Sequence, residues 1–209
     1  MNIEAAVISL IILLFSAILH EIAHGYVAER LGDPTARLLG RLTLNPIPHI
    51  DPIMSLILPL MLILTGSPVV IGAAKPVPVD PFNLRDGRRD MALVSLAGPL
   101  TNILIASIFA LLLRFVPFLQ TDAFVFALVF KIIQLNLVLG IFNLIPIPPL
   151  DGSKVLALFL PEETAKTYLS IGNIGFFIIF ILLLMPIGGF SLNAIISNLL
   201  AFGLRLLGF

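Results

Sequence analysis

The sequence contains no cysteine and no tryptophan, and it is poor in charge. Without cysteine there is no disulfide, no thiolate metal site, no cysteine nucleophile and no iron–sulfur ligation. Without tryptophan the usual strongest interfacial anchor is missing. Only 11% of the 209 residues are charged and 59% are hydrophobic, against about 25% and 45–50% in an ordinary soluble domain. That leaves too little polar surface to clothe a soluble globule, and the chain is far too apolar for disorder. Twelve basic residues balance twelve acidic ones without a basic run, which argues against a nucleic-acid partner. What remains, at a mean hydropathy of +1.12, is an all-α polytopic membrane protein with almost no room for an aqueous domain.

A crossing helix takes about 20 mostly apolar residues. Residues 3–31 supply the first; positions 5–19 carry no charge, and then His20, Glu21 and His24 follow. Asn2 and Glu4 stand where a secretory signal would be basic, and no A-x-A site follows, so this is a span and not a signal. Residues 91–116, 123–143, 168–185 and 190–207 complete about five transmembrane helices, with Pro186-Ile187-Gly188-Gly189 parting the last two. Residues 50–65 are apolar but short, and they hold Asp51, Pro52 and Pro59; they read as a re-entrant segment. Residues 69–79 place short β-branched runs around Gly72-Ala73-Ala74, which predicts a β-hairpin. Pro76 and Pro78 restrict its second strand to a sheet edge. No internal repeat is present.

Basic residues set the orientation. If residues 50–65 do not cross, then Arg30, Arg37, Arg41, Lys75, Arg85, Arg88, Arg89, Lys154 and Lys166 share one side, and loops 117–122 and 186–189 have no basic residue. If they cross, the first three part from the rest. The positive-inside rule favours the first arrangement, with the N-terminus outside and residues 29–90 in the cytosol.

His20-Glu21-Ile22-Ala23-His24 is an H-E-x-x-H motif. On a helix its histidines lie at i and i+4 on one face. That spacing suits two imidazole ligands to one Zn²⁺, with the glutamate beside the open position as a base. The alternative is two buried histidines with ordinary hydrogen bonds, but ionisable groups inside a span are costly and default to function. A catalytic zinc site takes a third protein ligand. His49 is one candidate, although it stands in a polar segment and equally suits a solvated surface. Asp151 is the stronger one. It follows Pro146, Pro148 and Pro149, which stop a helix, and precedes Gly152, which suits a positive-φ turn. Irregular backbone at membrane depth survives only where protein buries it or it lines a wet cavity. The plainer reading makes Asp151 the N-cap of a helix starting at Ser153. If residues 50–65 do not cross, His24 and the end of the 123–143 span reach the same side, and Asp151 can meet both histidines. The metal then lies roughly 10 Å below the helix end, at 1.5 Å per residue.

With these motifs in place, the sequence resembles the site-2 protease family of intramembrane zinc metallopeptidases. The likeness rests on His20 to Gly25, on Ser95-Leu96-Ala97-Gly98-Pro99-Leu100-Thr101-Asn102, and on Asn143 to Gly152 as N-x-x-P-x-P-x-L-D-G. Gly72 to Val77 is similar to the G-x-x-K-P segment of that family's membrane-associated β-hairpin. These motifs cover Met1 to about Lys154. The resemblance implies that His20, His24 and Asp151 bind one zinc ion and that Glu21 is the catalytic base. It implies a transmembrane protein substrate, a lipid bilayer around the chain and, as location, a prokaryotic cell membrane. Neither a PDZ nor a CBS domain is found, so the expectation is one intramembrane protease domain, with a core at about 1–155 and extra C-terminal helices at about 164–209.

Ala97 and Gly98 allow close helix approach. Asn102 is either a contact to the tetrahedral intermediate or a structural hydrogen-bonding group; Asn143 is a second candidate for substrate contact. Lys131, Gln134 and Asn136 face the bundle interior or snorkel, and Arg114 snorkels. Arg85, Arg88 and Arg89 read as an anchor to anionic headgroups. The expected reaction is peptide-bond hydrolysis in or near a substrate's transmembrane helix. That helix must unwind, and the edge at residues 69–79 offers it a place as an added strand. A non-enzymatic zinc transporter or sensor is the rival. It would also use intramembrane His and Asp, but it gives no reason for Glu21 and, for a transporter, lacks the usual inverted repeat. Oligomeric state is left open.

Overall fold

The computed structural model describes residues 3–57, 61, 74–186, 188–189 and 191–209. Helix α1, Ile3–Arg30, is a run of strong helix formers and branched aliphatics without proline, with Glu4 in its first turn and Arg30 in its last, both complementing the helix dipole. It stops at Gly32, whose φ of 117° turns the chain left-handed. Asp33 N then reaches back to Ala28 O at 2.9 Å, the six-to-one bond of a Schellman stop. A single turn, α2 (Thr35–Leu38), follows.

Helix α3, Gly87–Phe115, contains Pro99, which leaves the Ser95 carbonyl without its helical donor. After the short α4 (Phe118–Thr121), Asp122 caps α5, Ala123–Asn143, accepting from Phe124 N and Val125 N. Helix α3 lies at the centre and packs along both α1 and α5. The α3–α5 seam joins small residues to large ones: Ala106 and Ala110 against Val129, Ile133 and Leu137. In lipid there is little hydrophobic drive between helices, so such close packing and polar contacts hold the seam. Then come α6 (Asp151–Leu158), α7 (Glu162–Leu169), α8 (Gly172–Leu184) and α9 (Leu192–Leu206). Helix α6 packs on α3, and α9 on α5 and α8.

The distribution of polarity is that of a membrane protein. Val7, Ile11 and Phe15 form an exposed apolar row on α1, as do Leu100, Leu104, Ile108 and Leu111 on α3. Ser16, His20, His24, Asn102, Asn136 and Asp151 are instead buried. Polar groups deep in a bilayer must find partners within the protein, and these face one another across the bundle.

Helices α1, α3 and α5 are long and apolar enough to cross a membrane; α7 and α8, bent by 69°, make a fourth if they form one span. Among the described residues the five expected from the sequence are not reached. Helix α8 has 13 residues, about 20 Å at 1.5 Å per residue, against a hydrocarbon core of about 30 Å. The chain breaks between α7 and α8, so residues 168–185 do not make one straight helix. Helix α9, with 15 residues, is also short. Of the expected re-entrant segment, residues 58–60 and 62–65 lie outside the described residues; Pro52–Ile57 is a π-helical turn. Of the expected hairpin, residues 69–73 lie outside them. Residues 74–80 have no regular secondary structure, and no strand occurs among the described residues.

Candidate metal centre

Helix α1 presents His20 and His24 one turn apart on its buried face, with 5% and 8% of their surface exposed. Their Nε2 atoms lie 3.0 Å apart. Asp151 Oδ2 closes the triangle at 3.1 Å from His20 Nε2 and 3.2 Å from His24 Nε2.

Asp151 reaches this place through the proline-rich passage 144–150. Tyr168 Oη donates to Pro146 O at 2.6 Å and holds the passage. Gly152 does not take the expected positive φ; it is helical. Its glycine is needed for space, since a Cβ there would lie 2.2 Å from Leu144 O. Nor is Asp151 an N-cap: it is the first residue of α6, and no side chain caps that helix. Its carboxylate turns to the histidines instead, with Lys154 Nζ 3.3 Å from Oδ1. Arg88 does not stand free as a headgroup anchor. Its guanidinium donates to Ala157 O at 3.2 Å and Leu160 O at 2.9 Å, covering the C-terminal end of α6.

Each histidine is held from behind. His24 Nδ1 lies 2.6 Å from Val94 O, and a carbonyl only accepts, so Nδ1 carries a proton and the neutral imidazole keeps its lone pair on Nε2. His20 Nδ1 lies 2.6 Å from Asn102 Oδ1. Two imidazole lone pairs and a carboxylate oxygen therefore converge. A proton satisfies only one edge of such a triangle, whereas a divalent cation satisfies all three corners. Edges of 3.0–3.2 Å are close to the roughly 3.3 Å that separates two tetrahedral ligands each about 2.0–2.1 Å from Zn²⁺. The donor set, two neutral imidazoles and a carboxylate, fits zinc.

These residues border a cavity of about 320 Å³, also lined by Glu21, Val77, Ser95 and Asn143. Glu21 Oε2 accepts from Val77 N at 2.7 Å, which ties the carboxylate to the passing chain. Asn143 donates to Leu139 O at 3.0 Å. Asn102 is fully buried behind His20 and is not part of the cavity wall. His49 is not in the group of convergent ligands, and it is not solvated either. It is fully buried, with Nε2 3.0 Å from Thr43 O, and its backbone carbonyl accepts from Lys75 N. Sequence reasoning missed Ser16 altogether and gave Asn136 no partner. A hydroxyl and an amide inside spans were the available signals, but the crossing that brings them together was not visible in the sequence.

Residues 116–186 match the family model described as Peptidase family M50. Over 188 residues the chain is 38% identical to YwhC of Bacillus subtilis, a match that covers 87% of this chain and 82% of YwhC. It is 33% identical over 188 residues to Rip2 of Mycolicibacterium smegmatis, covering 83% of this chain and 65% of Rip2. Both relatives are named as candidate zinc metalloproteases. MJ0392 of Methanocaldococcus jannaschii, named a zinc metalloprotease, is 30% identical over 190 residues, covering 90% of this chain and 44% of MJ0392. No solved structure matches the chain. The chain belongs to peptidase family M50.

Proposed function

We infer that this chain is an intramembrane zinc metalloprotease in which His20, His24 and Asp151 hold one zinc ion and Glu21 moves the proton. The reading rests on the triangle of His20 Nε2, His24 Nε2 and Asp151 Oδ2, with edges of 3.0–3.2 Å, in the wall of a cavity that Glu21 shares. Family membership and the names of the relatives support it.

Zinc, when bound, polarises the scissile carbonyl and lowers the pKa of water toward about 7. Glu21 accepts the proton of the attacking water and returns it to the leaving amine. Its bond to Val77 N keeps the carboxylate oriented while the substrate enters. Val94 O and Asn102 Oδ1 hold the two imidazoles with Nε2 toward the metal. Asn143, on the cavity wall, meets the unwound substrate backbone. The substrate is a membrane protein cleaved in or near a transmembrane segment. The N-terminus lies outside and the site opens toward the cytosol, as the basic residues suggest. The whole chain acts as one domain with its catalytic core in residues 1–155.

The test is Glu21→Gln in a reconstituted cleavage assay with parallel metal analysis. Zinc content is expected to stay at the wild-type level while cleavage falls by about 10²–10⁴-fold. Unchanged cleavage overturns the role of Glu21. Zinc-dependent transport without cleavage in the wild type favours a non-enzymatic zinc protein.

A further inference from the structure

The polar groups behind His20 form a chain with a fixed direction. Asn136 Nδ2 lies 2.9 Å from Ile132 O and 2.9 Å from Ser16 Oγ. Ile132 O is a backbone carbonyl and only accepts. That contact alone decides which end of the Asn136 amide faces it: the NH₂. Asn136 Oδ1 is therefore turned the other way, where it accepts from Asn102 Nδ2 at 2.9 Å. A second contact of Asn102 Nδ2, 3.4 Å to Ser16 O, agrees, since that oxygen is also a backbone carbonyl. With its NH₂ engaged on this side, Asn102 presents Oδ1 to His20 Nδ1 at 2.6 Å. An acceptor there places the proton on Nδ1 and leaves the Nε2 lone pair facing Asp151 and His24. Asn102 and Asn136 are both fully buried, and Ser16 is 5% exposed, so water does not compete for these bonds.

We propose that Asn136, with Ser16 beside it, is a positioning residue that fixes the tautomer of His20 through Asn102 and thereby sets the affinity of the metal site. The inference rests on His20 being a zinc ligand. Partners behind a ligating histidine fix its tautomer and raise its basicity. Here the polarity comes from the Ile132 carbonyl, two amides away from the imidazole. A space-filling role asks only for volume at position 136; this role asks for a donor toward Ile132 and an acceptor toward Asn102.

The experiment compares the full chain, reconstituted in bilayers, as wild type, Asn136→Leu, Asn136→Asp and His20→Ala. Zinc affinity is read by competition with a chelator, and the tautomer of the zinc-free protein by NMR with ¹⁵N-labelled histidine. The chain has three histidines, so the signal lost in His20→Ala identifies His20. Asn136→Leu keeps the volume and removes the polarity. It is expected to weaken zinc binding by about 10–100-fold and to release His20 from the Nδ1–H form. Asn136→Asp, buried and so held protonated, offers Ile132 an O–H and Asn102 a carbonyl. It is expected to bind zinc close to the wild type and keep the Nδ1–H tautomer. Where Asn136→Leu does not fold, Asn136→Ala takes its place. Zinc lost in His20→Ala but held in Asn136→Leu with the Nδ1–H form intact overturns the inference and leaves the ligand reading standing. Equal zinc loss in the Leu and Asp variants overturns it too. Zinc unchanged in His20→Ala overturns the ligand reading, and the inference falls with it.

Discussion

Gly98 stands so close to His20 that a Cβ on it would lie 2.5 Å from His20 Nε2, and it would lie equally close to His24 Nε2. Helix α3 thus comes to the histidines with bare backbone, and no side chain fits between α3 and the two nitrogens. The same helix supplies Val94 O on the near side and Asn102 one turn beyond, so a single close approach both makes room for the imidazoles and orients them. Gly98→Ala is expected to push the histidines out of register while leaving the helices formed. A displacement of about 1 Å at a reacting centre costs about 10²-fold in rate, and cleavage should fall at least that far. Bound zinc per chain, read by metal analysis on folded protein, should fall as well. Full zinc occupancy in Gly98→Ala would show that the triangle tolerates what its geometry forbids.

How much of this was legible in the sequence varies from residue to residue. The pairing of His20 and His24 is legible because it is local: helical spacing alone puts both on one face. The meeting of Asp151 with both histidines is not local, and in the sequence it is an expectation only if residues 50–65 do not cross. At Gly152 local chemistry points to a positive φ, and packing is what requires the glycine. A glycine after three prolines suggests a turn, but the close approach of the Leu144 carbonyl is a tertiary fact with no local signature. Asn102 reads as either a contact to the intermediate or a structural hydrogen-bonding group, and the sequence does not decide between them. Whether an amide faces a cavity or the back of a histidine depends on the rotation of α3 against α1, and sequence periodicity does not fix that angle. The extent of the C-terminal helices is not legible because residues 168–185 are apolar on average, and an average does not register the 69° bend between α7 and α8.

Asp33 ties the end of α1 to the chain that leads away from Val77 and Glu21. It is fully buried. Its carboxylate accepts from Asp80 N at 2.7 Å, Asn83 Nδ2 at 3.0 Å, Thr35 N at 3.1 Å and Thr35 Oγ1. Burial works to raise its pKa, and these donors overcome it, leaving the group below the ordinary 3.8. A carboxyl depressed in the folded state stabilises fully above its unfolded value, and the stabilisation disappears as pH falls through the folded one. Asp33→Asn is therefore expected to destabilise the protein at neutral pH by about 1.5–3 kcal/mol, the range for hydrogen bonds to charged groups. The gap between the two proteins should close below pH 3.8. Thermal unfolding at pH 7, 5 and 3 measures it, and a gap that does not change with pH would rule out the ionised carboxylate as its source.

Arg88 offers a test that separates support of α6 from attachment to lipid. Its guanidinium reaches Ala157 O and Leu160 O, carbonyls at the end of the helix that begins with Asp151. A cation at a helix C-terminus also interacts favourably with the dipole, by about 0.3–1 kcal/mol. Neighbouring Arg89 pairs with Asp86 at 3.4 Å, with both side chains more than 60% exposed, and such pairs contribute about 0–1 kcal/mol. Arg88→Ala is expected to lower stability by about 1–3 kcal/mol through the lost charged hydrogen bonds and to loosen α6, raising amide exchange along residues 151–158. Arg89→Ala should leave both nearly unchanged. The decisive comparison varies the anionic lipid content of the bilayer. An anchoring role makes the Arg88→Ala defect grow with anionic lipid, whereas a role at the end of α6 makes it the same in neutral and anionic membranes.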